Sequence, residues 1–249
     1  GVTKNKGFLL GVIGAGFIGI EVAENLKEKG FTITVVEMGN QVMRPFDYEM
    51  AKILEKELLD QGINLFLSEK VVGFESDKVL LESGKSIETD LAILSLGVAP
   101  DTLFLKETGL SLAKSGHILV NDKYQTSDEN IYAAGDAILV KHALTGQDFN
   151  LALAGPANKQ GRLIADHING KDTVNKGYIG SSIIQVFSYT GASTWLNEAW
   201  IKFHDLNIDY DFTYLVPVDR VSIMPGVKPI FMKIMFEKIT GKLLGAQAI

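Results

Sequence analysis

The sequence predicts an α/β fold that gives way to an α+β layout in its last third. Three observations carry this. Unbroken apolar runs of strand length, Phe8–Ile13 and Leu91–Leu96, read as buried parallel strands covered on both faces. Between such runs lie segments with apolar residues four apart, as in Ile18, Val22 and Leu26, which is the spacing of one helix face. Beyond a polar stretch from Gly170 to Gly177, short strands and one short helix follow without that alternation.

Each element follows in order. After the first strand, Gly14–Gly19 opens a helix that runs to about Lys29, and Gly30 ends it. Thr32–Val36 is a second strand, closed by Glu37, and the whole fits a strand–helix–strand unit of about 30 residues. A second helix spans about Asp47 to Gln61, with Met50, Ile53, Leu54 and Leu58 as its apolar side. Gly62 stops it and Ile63–Phe66 resumes as strand. From Val71 to Thr89 short β segments alternate with polar turns such as Ser83-Gly84-Lys85. Ile131–Ala134 reads as a strand leading into Gly135-Asp136, and Pro156 precedes or opens a helix that reaches about Asn169. The last third predicts strands at Ser182–Ser188 and Asp211–Val216, a helix at Glu198–His204, and a hairpin of Phe231–Phe236 and Leu243–Ala248 around Thr240-Gly241.

Composition narrows the function classes. At 46% hydrophobic and 22% charged residues, the 249-residue chain reads as globular rather than disordered. The net charge of −6, without a basic block, argues against nucleic-acid binding. No apolar stretch approaches the ~20 residues of a membrane span. The first residues run straight into a strand rather than a secretory signal, so the expected location is cytoplasmic. Cysteine is absent, which excludes disulfides, Cys–metal sites and thiolate chemistry within this chain. His117, His142, His167 and His204 are scattered without metal-ligand spacing, so no metal site is expected.

Gly14-Ala15-Gly16-Phe17-Ile18-Gly19 carries the strongest signal. Alone, a GxGxxG pattern is weak. Here it follows a buried strand, opens a helix, lies within one strand–helix–strand unit, and an acid ends the second strand. Gly14 suits the tight turn, Gly16 lets the backbone approach a pyrophosphate, and Gly19 lets helix and strand pack closely. The helix N-terminus then offers unpaired N–H groups and a partial positive charge to phosphates. These residues predict a Rossmann-type NAD-binding domain. Glu37 is placed to accept hydrogen bonds from the adenosine ribose. Residues 38–43 contain no base and Arg44 is the first, which favours NADH over NADPH.

Further segments resemble one family. Gly14–Gly19 continued by Ile20-Glu21 looks like its NAD loop, and Ser95-Leu96-Gly97-Val98-Ala99-Pro100 like the strand end that closes its NAD domain. Thr126–Ala137, ending in Ala134-Gly135-Asp136-Ala137, resembles its second FAD motif. Leu153–Arg162 resembles the helix that follows in coenzyme A-disulfide reductases, NADH oxidases and NADH peroxidases. Gly241–Ala248 looks like the start of their dimerisation domain. The sequence is thus similar to the class I pyridine nucleotide-disulfide oxidoreductases over nearly its whole length.

The resemblance implies a division into an NAD(H)-binding domain at 1–116, the C-terminal half of an FAD-binding domain at 117–172 and part of an α+β dimerisation domain at 178–249. It implies that Asp136, after Gly135, hydrogen-bonds the flavin ribityl chain. Pro156, Ala157 and Asn158 would bring a helix N-terminus to the flavin pyrimidine edge, where the dipole favours the negative charge of reduced flavin. Phe17, beside Ile18, would gate the nicotinamide side; its spacing equally fits a packing residue. Glu21 would lie near the nicotinamide amide, and equally fits an exposed helix position. Gly97 would bring its backbone close to the dinucleotide. The implied reaction passes hydride from NADH to FAD and on to a disulfide, peroxide or oxygen, in a homodimer; the alternative is a fragment that binds NAD(H) and turns over nothing.

Two departures stand out. In the family a first FAD half with the redox-active cysteine precedes the NAD domain, so this chain is expected to be an internal piece, with no catalytic residue of its own and an incomplete α+β sheet at Ile249. Val221-Ser222-Ile223-Met224-Pro225-Gly226 stands where relatives commonly carry Tyr-Tyr-Pro-Gly, and Met224 cannot donate a hydrogen bond.

Overall fold

In chain order the strands and helices are β1 (Leu9–Ile13), α1 (Phe17–Glu28), β2 (Thr32–Glu37), α2 (Tyr48–Asp60), β3 (Asn64–Leu67), β4 (Val71–Phe74), β5 (Lys78–Leu81), β6 (Ser86–Glu88) and β7 (Leu91–Leu94), then β8 (Val140–Lys141), β9 (Asp148–Phe149), α3 (Ala154–Ile168), β10 (Ser182–Val186), β11 (Tyr189–Trp195), α4 (Glu198–Phe203), β12 (Tyr210–Leu215), β13 (Met232–Glu237) and β14 (Leu243–Ala248). The structure is a computed structural model and describes residues 7–173 and 175–249. The first six residues of the expected NAD domain and of the N-terminus read for a secretory signal, and one residue of the expected polar linker, lie outside the described residues.

The chain forms two compact units. One runs to Gly97 and resumes over Ser181–Ile249; the other is Val98–Gly180. This grouping by compactness cuts across the three-part division expected by function. Residues 98–116 join the second unit through local bonds. Thr102 Oγ1 donates to the Gly116 carbonyl at 2.6 Å, and Ala113 N donates to the His117 carbonyl at 2.8 Å.

In the first unit, β3-β2-β1-β7 form a four-stranded parallel sheet in that order. One face packs Leu10, Val12, Ile33 and Val35 against Ile20 and Ala23 of α1 and Met50, Leu54 and Leu58 of α2. The opposite face sets Ile13 and Val36 on the small antiparallel sheet β4-β5-β6, through Val79, Leu81 and Ile87. The expected buried strand at Leu91–Leu96 is corrected in two ways. It ends at Leu94, and it is the sheet's edge, paired only with β1. Leu91, Leu94 and Leu96 are exposed in consequence. An apolar run reports strand propensity; whether it is covered depends on neighbours that the run does not contain.

The rest of this unit is a five-stranded antiparallel sheet, β10-β11-β14-β13-β12. Its edges are β10 and β12, and β14 lies between β11 and β13. Strand β11 is absent from the sequence reading because Tyr189–Trp195 is rich in small and polar residues. Its Gly191 explains why: a Cβ there would stand 2.9 Å from the Phe46 ring, so the strand lies against α2's approach segment with no room for a side chain.

The five-stranded sheet is tied to the starts of α2 and α4 by a charge cluster around a buried lysine. Lys233 of β13 has no exposed surface. Its Nζ lies 2.5 Å from Glu49 Oε1 and Glu198 Oε1 and 2.9 Å from Asp47 Oδ2, and 4.3 Å from the Phe212 ring centre. Asp47 and Glu49 stand at the start of α2, and Glu198 starts α4. Burial is the largest single influence and works against the charges on Glu49 and Glu198, but the hydrogen bond and attraction from Lys233, joined by Tyr214 at Glu49 and Tyr210 at Glu198, together hold both below the ordinary 4.5. Burial and the bond to Glu49 push the Tyr214 hydroxyl up to about 12.

In the second unit Ile118, Tyr124, Ile138, Val140 and Tyr178 form the core, and the buried Tyr124 and Tyr178 hydroxyls bond each other at 2.5 Å. The strand expected at Ile131–Ala134 is corrected: only an isolated bridge, Gln125 to Tyr132, forms there. Tight turns claim the backbone instead, with Ile131 N donating to Asp128 and Thr126 N to Ile131.

Lys233→Met should destabilise the chain by about 3–5 kcal/mol, because three carboxylates would lose their buried counter-charge. Denaturant unfolding measures it. Glu49 and Glu198 have lowered folded values, so their contribution is present above the ordinary 4.5 and is lost as pH falls through those lowered values. The variant should show the opposite slope there, gaining stability as its crowded carboxylates take up protons.

Candidate dinucleotide and flavin sites

The glycine loop is shaped by close approach. Gly14 has φ +106°, and a Cβ on it would stand 2.4 Å from the Ser95 carbonyl oxygen. A Cβ on Gly19 would stand 1.9 Å from the Gly14 carbonyl oxygen. Both positions therefore exclude any side chain, and α1 starts hard against β1 and the end of β7. Gly16 is different: its φ is −82° and a Cβ would meet nothing within 4 Å. The space beside it is open.

Gly16 is the N-cap of α1 and no side chain caps it. The first-turn N–H groups of a helix have no intrahelical acceptor. Here they face a cleft of about 670 Å³, lined by Gly14, Gly16, Phe17 and Ile18 of the loop, Glu37 of β2, Arg44, and Ser95 and Gly97 beyond β7. This is a concave site at the C-terminal ends of parallel strands with unused donors aimed into it. Its residues fit the diphosphate of a dinucleotide.

Glu37 is already engaged. Ala15 N donates to its Oε2 at 2.8 Å and Gly39 N to its Oε1 at 2.7 Å, so the carboxylate braces the loop as well as lining the cleft. Phe17 is half-buried; it packs against the main core and also lines the cleft. Ile18 lines the mouth and is 53% exposed. Gly97, at φ +96°, has open space around its Cα. Gly19 and Glu21 do not line the cleft: Gly19 is a packing position, and Glu21 is exposed on α1. The stretch 38–43 is free of bases, but Arg44 lines the cleft, as does Lys70, a residue the sequence reading left unassigned.

The flavin-side residues lie in the second unit. Gly135, at φ +76°, begins a single 3-10 turn, Gly135–Ala137, which leaves Asp136 exposed. Helix α3 begins at Ala154, so Pro156 falls inside its first turn, where a missing N–H costs nothing. Ala157 lies against the turn, 3.8 Å from where a Cβ on Gly135 would be. Asn158 is exposed and donates from Nδ2 to the Ala154 carbonyl at 3.0 Å. The structure thus brings Gly135, Asp136, Pro156 and Ala157 together. The bond that fixes them was not read from the sequence: Gln160, 1% exposed, accepts from Gly135 N at 2.6 Å. The exposed carboxylate beside a helix N-terminus fits a polyol chain and an electron-rich ring edge.

Among the described residues, Asp47, Glu49 and Glu198 offer oxygens within 4.8 Å of one another, a spacing that suits a cation. The Lys233 ammonium is the cation there.

A parallel sheet with a glycine-loop cleft, followed by an acidic turn held against a second helix N-terminus, defines a dinucleotide-binding protein of the flavoprotein reductase kind. Comparison with known proteins makes this specific: residues 4–161 match the pyridine nucleotide-disulphide oxidoreductases, and the chain belongs to that family. It is 33% identical over its full length to the NAD(P)H sulfur oxidoreductase (CoA-dependent) of Pyrococcus abyssi, covering 56% of that protein. It is 30% identical to the coenzyme A disulfide reductase of Staphylococcus epidermidis, again over the full chain and 56% of the relative. The chain therefore spans about half the length of these curated relatives. Among solved structures, reduced Bacillus anthracis CoADR-RHD superposes with a TM-score of 0.93 at 43% identity, over 96% of this chain and 43% of that one.

Gly16→Val should fold normally, since a side chain there meets nothing, yet abolish dinucleotide binding by filling the space beside the uncapped helix. Titration calorimetry together with an unfolding curve separates the two effects; unchanged affinity in a folded variant would place the site elsewhere.

Proposed function

We propose that this chain is the NAD(P)H-binding part of an FAD-dependent oxidoreductase, in which hydride passes from NADH to flavin and on to a disulfide, peroxide or oxygen. The observation that carries the proposal is the cleft at the uncapped N-terminus of α1, lined by the glycine loop and Glu37. The chemistry that FAD supplies when bound is acceptance of the hydride and delivery of electrons onward. This chain's residues do the rest. The loop amides hold the pyrophosphate, and Glu37 accepts from the ribose hydroxyls with the lone pairs its two backbone bonds leave over. Phe17 and Gly97 bound the end of the cleft that would receive the nicotinamide, with Glu21 one turn further along α1.

On the flavin side Asp136 accepts from the ribityl hydroxyls. The start of α3 at Pro156, Ala157 and Asn158 would hold the pyrimidine edge of the flavin, where a helix dipole favours the negative charge of the reduced ring. Family membership supports both cofactors. The chain has no cysteine, so a thiol that carries electrons onward would come from elsewhere in the complete protein. The homodimer and the cytoplasmic location belong to the same reading. The exposed apolar residues Val221, Ile223 and Met224 are of the kind that a subunit interface covers.

NADH is the preferred donor in this reading, since Glu37 opposes a 2′-phosphate, while Arg44 at the cleft lets NADPH bind more weakly. Calorimetry on the purified chain should give tighter binding of NADH than of NADPH. Glu37→Ala should weaken NADH and narrow the gap, and Arg44→Ala should widen it. Equal or tighter NADPH binding by the unaltered chain overturns the preference. The second reading, a module that binds NAD(H) without turnover, rests on the missing cysteine. A visible spectrum separates them: a yellow preparation that consumes NADH steadily contradicts the binding-only reading.

A further inference from the structure

One wall of the dinucleotide cleft, beside the glycine loop, is the segment between β2 and α2, with Gln41, Met43, Arg44 and Pro45 among the lining residues. It has no regular secondary structure and contains a strained residue, Met43 at φ +50°. A non-glycine residue held there persists only where its surroundings over-determine it. Its surroundings can be followed bond by bond. Met43 N donates to the Ala15 carbonyl at 2.9 Å, which ties the wall to the glycine loop. Gln41 Nε2 donates to the Phe46 carbonyl at 2.8 Å, closing the turn on itself.

The remaining grip comes from α4, some 150 residues away in sequence. Asn197 Nδ2 donates to the Arg44 carbonyl at 3.2 Å and to the Pro45 carbonyl at 3.0 Å. Its Oδ1 accepts from Trp200 N at 2.7 Å, which caps α4. One buried amide thus uses both its donors on the cleft wall and its acceptor on its own helix. Directly after the wall, Asp47 is held as firmly. Its N–H donates to Gln247 Oε1 at 2.7 Å, Gln247 Nε2 donates back to Asp47 Oδ2 at 2.8 Å, and Glu198 N donates to Asp47 Oδ1 at 2.8 Å.

We propose that Asn197 is a positioning residue for dinucleotide binding: through the Arg44 and Pro45 carbonyls, α4 of the C-terminal sheet holds the cleft wall in its binding shape. Capping alone would need only the Asn197 oxygen, and any of Ser, Asp or Asn supplies that. The two donors are spent on carbonyls whose residues line the cleft. The inference rests on the reading of that cleft as the NAD(H) site, and it assigns part of that site's affinity to a residue that never touches the ligand.

The variants Asn197→Ser and Asn197→Asp test it. Both keep a capping oxygen; ionised aspartate cannot donate to either carbonyl, and serine offers one hydroxyl proton on a shorter side chain in place of two amide protons. Each should raise the dissociation constant for NADH roughly tenfold, equivalent to about 1.4 kcal/mol. Each should also speed hydrogen exchange at the Met43 amide while leaving α1 amides unchanged. Ile201→Ala serves as control, because it loosens α4 at its buried face and leaves the Asn197 amide in place. NADH affinity equal to the unaltered chain's in both Asn197 variants overturns the proposal. So does an equal loss in Ile201→Ala, which would mean general loosening. If the unaltered chain binds no NADH, the reading of the cleft fails instead. The Met43 amide then decides alone: faster exchange supports the anchoring, and unchanged exchange overturns it.

Discussion

The first unit depends on one steric constraint, the meeting of α1, β1 and the end of β7 at the glycine loop. Two backbone carbonyls, of Gly14 and Ser95, occupy the volume that Cβ atoms at Gly19 and Gly14 would need. That contact brings the helix N-terminus down onto the strand ends. An uncapped first turn at such a point leaves N–H donors unsatisfied, which is a cost in a free chain and an attraction for a diphosphate. The cleft follows from this contact, and so does the position of Glu37, whose carboxylate reaches the Ala15 and Gly39 amides because β2 runs parallel beside β1.

A second constraint is electrostatic and ties the antiparallel sheet to α2 and α4. Lys233, fully buried on β13, draws together carboxylates from the start of α2 and the start of α4. Such a cluster is weak evidence for net stability, because desolvating Lys233 and Asp47, and in part Glu198, offsets much of the attraction. Its effect is specificity of placement. Three acids around one ammonium leave little freedom in how α2 and α4 meet. The Asn197 amide, one residue before α4, is thereby delivered to the Arg44 and Pro45 carbonyls. Intact, the cluster adds little net stability over an apolar contact, although removing one partner is costly, and its main effect is on geometry.

These two constraints differ in how far the sequence discloses them. Gly14, Gly16 and Gly19 are legible because the requirement is local: a strand, three glycines at fixed spacing, a helix and a closing acid all fall within about 30 residues. The Lys233 cluster is assembled from positions 47, 49, 198 and 233, and nothing in Ile-Phe-Met-Lys-Ile-Met-Phe names its partners. The lone lysine in an apolar strand was the available signal, since a charge buried in such a run needs a counter-charge. Asn197 before Glu198 is readable as a helix cap; its second use, on a segment some 150 residues away, is not. Gln160 was hidden because helix periodicity assigns it only a buried face. The edge position of β7 was misread because burial belongs to the neighbours of a strand and not to its own letters.

The same distinction bears on Glu37. Read from sequence, it is an acceptor waiting for a ribose. In the folded chain it already accepts from two backbone amides, one in the glycine loop and one in the turn after β2. A carboxylate has about four lone-pair sites, so two remain for ribose hydroxyls. In the proposed reading the residue that discriminates the ribose is therefore also the residue that fixes the loop. Removing its charge would act on the diphosphate end of the cleft as well as on the adenosine end. Arg44 stands in the same wall, its carbonyl held from α4 and its side chain lining the cleft. Acid and base are thus set by different anchors, Glu37 by the parallel sheet and Arg44 by the antiparallel one. In the proposed reading, the balance between a ribose hydroxyl and a ribose phosphate would then depend on how those two sheets are joined.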